Sequence, residues 1–257
     1  MQNKASTNSS VHGFTLIELS IVIVIIGLLI GGILAGQSLI RTAAVRSILA
    51  DLDQYKSAVI QFKDQYGGLP GDLADATDYW PTAATCPGDQ TTPAIGMETC
   101  NGNNNGNISH FIEGNGDYKE TYRAWQHLAN AGLISGRYTG VYSNAAALSI
   151  IGGTNVPRGR IANSVFTIVR GTDAGNASWF ASDYGNVIQF GLQNGAWGDT
   201  AALKPEEAWN VDTKIDDGKP GSGGIMSYQT ATCATSTTAY ALDNTTVSCH
   251  IIMKLGM

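Results

Sequence analysis

A single carboxylate, Glu18, sits one helical turn inside a stretch, Phe14 to Gly36, that contains no other charged residue. An ionised carboxylate is costly in an apolar phase, so Glu18 calls for a cation. The only formal charge upstream, Lys4, lies far away in a flexible polar leader, Met1 to Gly13. Cutting the bond between Gly13 and Phe14 would create an α-ammonium at Phe14, one turn above Glu18, and so supply the missing charge. The other candidates for chemistry are sparser. Asp212, Asp216 and Asp217, followed by Gly218, could converge several oxygens on a hard cation such as calcium, although Lys214 and Lys219 are alternative partners. Glu113-Gly114-Asn115-Gly116-Asp117 is a second such stretch, in which Asp117 also suits a helix cap. His110, His127 and His250 show no metal-ligand spacing. No G-x-S-x-G elbow, Walker-type loop or G-x-G-x-x-G occurs, which argues against an enzyme and leaves any use of ATP to a partner.

Composition narrows the class further. Charged residues make up 14% of the 257 residues, against about 25% in an ordinary soluble domain. The net charge is −6, which excludes a broad phosphate-binding face and argues against nucleic acid as a main partner. Four cysteines without a C-x-x-C pair suit disulfides in an oxidising compartment, and hence export. They allow three connectivities. Local pairing of Cys86 with Cys100 and of Cys233 with Cys249 is favoured because both close short loops, and a loop of about fifteen residues is worth ~3 kcal/mol in the chain-entropy model.

These residues need elements to position them. As a helix, Phe14 to Gly36 spans about 34 Å, enough to cross a bilayer. Gly27 with Gly31, and Gly32 with Gly36, each fit G-x-x-x-G, which lets helix backbones approach closely. Beyond Gly36 the apolar residues Val45, Ile48, Leu52, Tyr55, Val59, Phe62 and Tyr66 recur every three or four positions, with Arg41, Arg46, Asp51, Asp53, Lys56, Lys63 and Asp64 on the other faces. Gly67-Gly68 and Pro70 end the pattern. One helix is therefore expected from Phe14 to Tyr66, about 80 Å long, transmembrane over 14–36 and packed on a head over its second half.

The run Gly13-Phe14-Thr15-Leu16-Ile17-Glu18-Leu19, followed by an apolar helix, resembles the processing and assembly signature of type IV pilins and type II secretion pseudopilins. That resemblance implies cleavage after Gly13 by a prepilin peptidase, methylation of Phe14, and pairing of Glu18 with the terminal amine of a neighbouring subunit in a helical filament. It further implies an inner-membrane precursor in contact with lipid, other pilins as partners, an assembly ATPase with an inner-membrane platform protein, and a periplasmic or cell-surface filament as product. Many members carry proline at the position of Ala35, where the helix can melt; its absence here speaks against local melting. Some pseudopilins bind calcium in a C-terminal loop, and many pilins carry a C-terminal disulfide region like the one that Cys233 and Cys249 would form. The implied organisation is a leader over 1–13, a spine helix over 14–66 and a globular head over 67–257. The alternative from another class is a membrane-anchored or secreted, adhesin-like binding module outside any filament, in which the N-terminus would begin at Gln2 or after Ser38.

The head is expected to be α+β, with an antiparallel sheet laid on the N-terminal helix. Strands are predicted at Val165 to Val169, Val187 to Leu192 and Ser248 to Met253. One helix is predicted to begin near Asp117, present Tyr122, Trp125 and Leu128 on one face and close at Gly132; another starts at Pro205 and turns Ala208, Val211 and Ile215 inward. Trp80, Trp125, Trp179, Trp197 and Trp209 are expected as core or half-buried anchors rather than sugar platforms.

Overall fold

A computed structural model describes residues 14–84, 86, 96–110, 120–141, 150–171, 179–180, 182, 184–195, 197–228 and 230–257. The elements in chain order are α1 (Leu16–Tyr66), α2 (Ala76–Tyr79), α3 (Glu120–Asn130), β1 (Ser164–Gly171), β2 (Gly185–Asn194), β3 (Trp197–Thr200), α4 (Pro205–Ile215), β4 (Ile225–Met226), β5 (Ala234–Ser236), β6 (Ala239–Tyr240) and β7 (Ile251–Lys254). The chain divides into two compact units, Met1–Ala43 and Ala44–Met257.

In the first unit α1 is helical and exposed. Its large apolar side chains from Leu16 to Ile40 are half to nine-tenths exposed, and no residue of α1 before Ala44 is buried. The helix is long and apolar enough to cross a membrane. Ala35 lies inside the helix, which is uninterrupted there.

In the second unit the rest of α1 forms one wall of the core. Ala44, Ile48, Leu52, Ala58, Val59 and Phe62 are buried, and Val45, Tyr55 and Tyr66 pack against them, as the three-or-four spacing requires. Tyr55 joins three elements: its ring meets Trp125 of α3 edge-on at 4.9 Å and Phe166 of β1 at 5.0 Å. Phe62 packs at 4.6 Å from Tyr66 and 6.0 Å from His127.

The main sheet is antiparallel, in the order β1-β2-β7-β4, with β3 added to β2. The two-residue alternation of strands decides its two faces. Phe166, Ile168, Ile188, Phe190, Ile225, Ile251 and Met253 enter the core that α1 lines. Val169, Val187, Met226 and Ile252 point the other way, into a smaller cluster with Trp179, Phe180 and Tyr184. The registers Ile168 to Ile188, Ile188 to Met253 and Ile225 to Met253 stack one isoleucine-rich row across four strands. The fold is α+β, a long N-terminal helix with a globular head built on an antiparallel sheet.

Several boundaries differ from the sequence expectation. β1 and β2 extend beyond the predicted segments at both ends. The last strand begins only at Ile251, because Cys249 leaves the sheet to pair with Leu203, exchanging N–H to O bonds of 2.9 Å in each direction. α3 is described from Glu120, and the predicted start at Asp117 lies outside the described residues; Tyr122, Trp125 and Leu128 are buried, and Gly132 follows at φ 72°. α4 begins at Pro205 and buries Ala208 and Val211, with Ile215 partly buried.

Replacing Phe62 by Ala removes the ring from a fully buried position and is expected to cost about 3–5 kcal/mol. Urea denaturation of the full chain in detergent measures it, and a loss under 1 kcal/mol would show that α1 is not a wall of this core.

Candidate processing and assembly site

Thr15 is the last residue before α1 and caps it. Its backbone N–H and its hydroxyl both donate to Glu18 Oε2, at 2.8 and 2.7 Å, and the Glu18 N–H points back to Thr15 Oγ1 at 3.3 Å. This is the reciprocal capping arrangement of a Thr-x-x-Glu sequence. Reasoning from charge alone overlooked Thr15, although the spacing Thr15-Leu16-Ile17-Glu18 was visible. The cap changes the account of Glu18 in one respect. Its carboxylate has hydrogen-bond donors within its own chain and sits in the first turn, where the helix dipole favours an anion; among the described residues no cation accompanies these donors. Phe14, directly before the cap, is 91% exposed. Gly13 lies outside the described residues.

The glycines of this half of α1 are also open. A Cβ added at Gly27, Gly31, Gly32 or Gly36 would meet nothing within 4 Å beyond the neighbouring backbone. Nothing in the single chain therefore requires glycine at these places, whereas close approach of another helix would.

The cysteines stand as two bonds, Cys86 with Cys100 and Cys233 with Cys249. The first closes a sequence separation of 14, the second of 16. The second ties the β5 end of the small β5-β6 hairpin to the segment that enters β7.

Asp212, Asp216 and Asp217 come together at the end of α4, with one carboxylate oxygen from each within 4.8 Å of the others. Their oxygens are already engaged. Asp212 accepts from the Gly218 N–H at 3.0 Å and the Tyr240 hydroxyl at 2.8 Å. Asp216 accepts from the Gly224 N–H at 2.5 Å and the Ile225 N–H at 3.2 Å, and Asp217 from the Lys219 N–H and the Ser222 hydroxyl. Burial, with the charges of Asp217 and Asp216 adding to it, pushes Asp212 up to about 7. The three carboxylates thus organise the turn that leads from α4 into β4. The stretch Glu113 to Asp117 lies outside the described residues.

His110, His127 and His250 are all buried and separate. His127 accepts the Gly71 N–H through Nδ1 at 3.0 Å, and burial lowers it to about 3, so it is neutral. His250 packs its ring 3.7 Å from Tyr228. Trp80, Trp125 and Trp179 are buried, while Trp209 is 38% exposed.

Asp216→Ala strips the acceptor from two backbone N–H groups and is expected to cost about 1–3 kcal/mol. Thermal melting with and without millimolar calcium checks it. A calcium-dependent gain in the wild type that this variant loses would assign the turn a cation as well.

One comparison with known proteins finds a match, on the N-terminal segment. A family model described as the prokaryotic N-terminal methylation motif matches residues 8–34, which include Gly13, Phe14, the capped Glu18 and the open Gly27, Gly31 and Gly32. No curated protein and no solved structure matches the chain. The chain carries the N-terminal methylation signature of type IV pilin-like and pseudopilin precursors, and its apolar first helix fits a membrane-anchored form.

Proposed function

We infer that this protein is a non-enzymatic structural subunit of a type IV pilus or a type II secretion pseudopilus. The observation that carries the reading is the coincidence, inside the matched motif, of a helix with unpartnered apolar and glycine faces and a lone carboxylate one turn from the Gly13-Phe14 bond. A prepilin peptidase cuts that bond, leaving a leader of 1–13, a spine of 14–66 and a head of 67–257, and methylates Phe14, which keeps its ammonium charged while removing donors. The processed chain waits in the inner membrane, and an assembly ATPase acting through a platform protein lifts it into a filament on the periplasmic side or the cell surface.

In the filament the α1 helices of neighbouring subunits replace lipid, with the glycine stripes allowing close crossings. Glu18 exchanges its capping threonine for, or shares it with, the Phe14 ammonium of a neighbour. A charge left unpaired in that helix bundle is strongly unfavourable, so misregistered subunits are rejected. Specificity of register, rather than raw stability, is the role this assigns to Glu18.

Two measurements test the reading. Mass spectrometry of the exported chain should find Phe14, methylated, as its first residue; a start at Gln2 or after Ser38 would point instead to an anchored or secreted binding module. Glu18→Ala should be processed normally yet enter filaments at least tenfold less often than wild type. Equal incorporation would sink the register role.

A further inference from the structure

Two carboxylic acids meet inside the head, away from the turn at Asp212. Asp72, just after the Gly71 turn, and Glu120, the first residue of α3, are 1% and 0% exposed. Between them hangs the segment 103–109. Asp72 accepts the N–H groups of Asn105 at 3.0 Å and Gly106 at 2.8 Å. Glu120 accepts those of Asn103 at 3.3 Å and Ser109 at 2.9 Å. The backbones are crowded together to allow this. Gly71 lies at φ 85°, where a Cβ would strike the Glu120 carbonyl oxygen, and a Cβ on Gly102 would strike the Asp72 backbone.

Two buried carboxyl groups bound to one seven-residue segment are held most easily with a single proton between them, because an ionised carboxylate can only accept hydrogen bonds. Removing that proton would leave two anions on the same segment, both shielded from water, which is strongly unfavourable. The charged and titratable groups on the surrounding elements, among the described residues, make contacts of their own. Arg123 of α3 places Nη1 2.9 Å from the Asn101 carbonyl. His127, also on α3, takes the Gly71 N–H and contacts the Thr99 hydroxyl at 2.9 Å. His110, next to Ser109, stacks on Trp197 at 4.2 Å. Arg170 of β1 donates to Asn107 Oδ1, and the terminal Met257 oxygen lies 3.4 Å from Asn186 Nδ2, whose NH2 also donates to the Gly106 carbonyl.

We propose that Asp72 and Glu120 share one proton and act as a pH-sensitive latch, holding segment 103–109 against the start of α3 and releasing it in alkali. The latch belongs to the head and does not depend on how the chain assembles. Burial, reinforced by the charge of Asp72, pushes Glu120 up to about 8. The folded head therefore retains a proton that the unfolded chain gives up near the usual carboxylate range. The resulting stability is complete in acid below that range, and it is lost as pH rises through about 8.

The test uses the full chain in detergent micelles with EDTA, melted between pH 5 and pH 9, together with amide hydrogen exchange at Asn103, Asn105, Gly106 and Ser109. The wild-type Tm is expected to fall by about 5 °C or more across that range. Asp212 adds a slope of its own, so the decisive quantity is the difference from Glu120→Gln, which can donate to Asp72 but cannot titrate. That variant should show a shallower fall and keep the Asn105 and Gly106 amides, which Asp72 holds, protected at pH 9, where the wild type loses them; its NH2 group cannot accept an N–H, so the Asn103 and Ser109 amides are read in the wild type alone. Should Glu120→Gln fail to fold, Asp72→Asn serves the same purpose, and the wild-type exchange data stand independently. Equal slopes in variant and wild type, or unchanged protection of the four amides between pH 5 and pH 9, would overturn the latch. So would a Tm gain on millimolar calcium that Asp72→Asn abolishes, because the pair would then be held by a cation rather than a proton.

Discussion

Apolar side chains must leave water, and α1 answers that demand differently along its length. From Ala44 onward a stripe of Ile48, Leu52, Val59 and Phe62 is covered by the head, and the sheet, α3 and α4 are arranged around it. Before Ala44 nothing among the described residues buries the large apolar side chains. A bilayer can cover them, and in the proposed function other copies of the same helix do so in its place.

Electrostatics sharpens the demand. Among the described residues Glu18 has its hydrogen bonds from Thr15 but no opposite charge, so its geometry is satisfied and its field is not. Capping and charge pairing are separable requirements. The first is met locally by a neighbour three residues away. The second requires a cation, which the α-ammonium exposed at Phe14 by processing would provide in the proposed assembly.

The head shows the reverse strategy, in which carboxyl groups, both buried and exposed, are used for local architecture. Asp212, Asp216 and Asp217 collect backbone and hydroxyl donors around the exit of α4, and Asp72 with Glu120 does the same for segment 103–109. With few charged residues available, loops rich in Gly and Asn are pinned by single acids that accept several N–H groups each. The two disulfides act on the same kind of poorly self-structured segment.

Periodicity alone determined the long helix, its covered stripe and the faces of α3 and α4, because apolar residues at regular spacing have only one way to share a side. The central strands were legible for the same reason, while β3, β4 and the β5-β6 hairpin were not: each of these strands has only two to four residues, too few to show an alternation. The motif around Gly13, Phe14 and Glu18 was legible because its residues are contiguous. The meeting of Asp72 with Glu120, and the engagement of every aspartate near Asp212 with N–H or O–H donors, were decided by the tertiary structure alone. Asp72 and Glu120 take N–H groups up to 34 and 17 residues away, which the order of the residues does not announce, and the aspartates after α4 take donors within nine residues and Tyr240, chosen by the path of the turn.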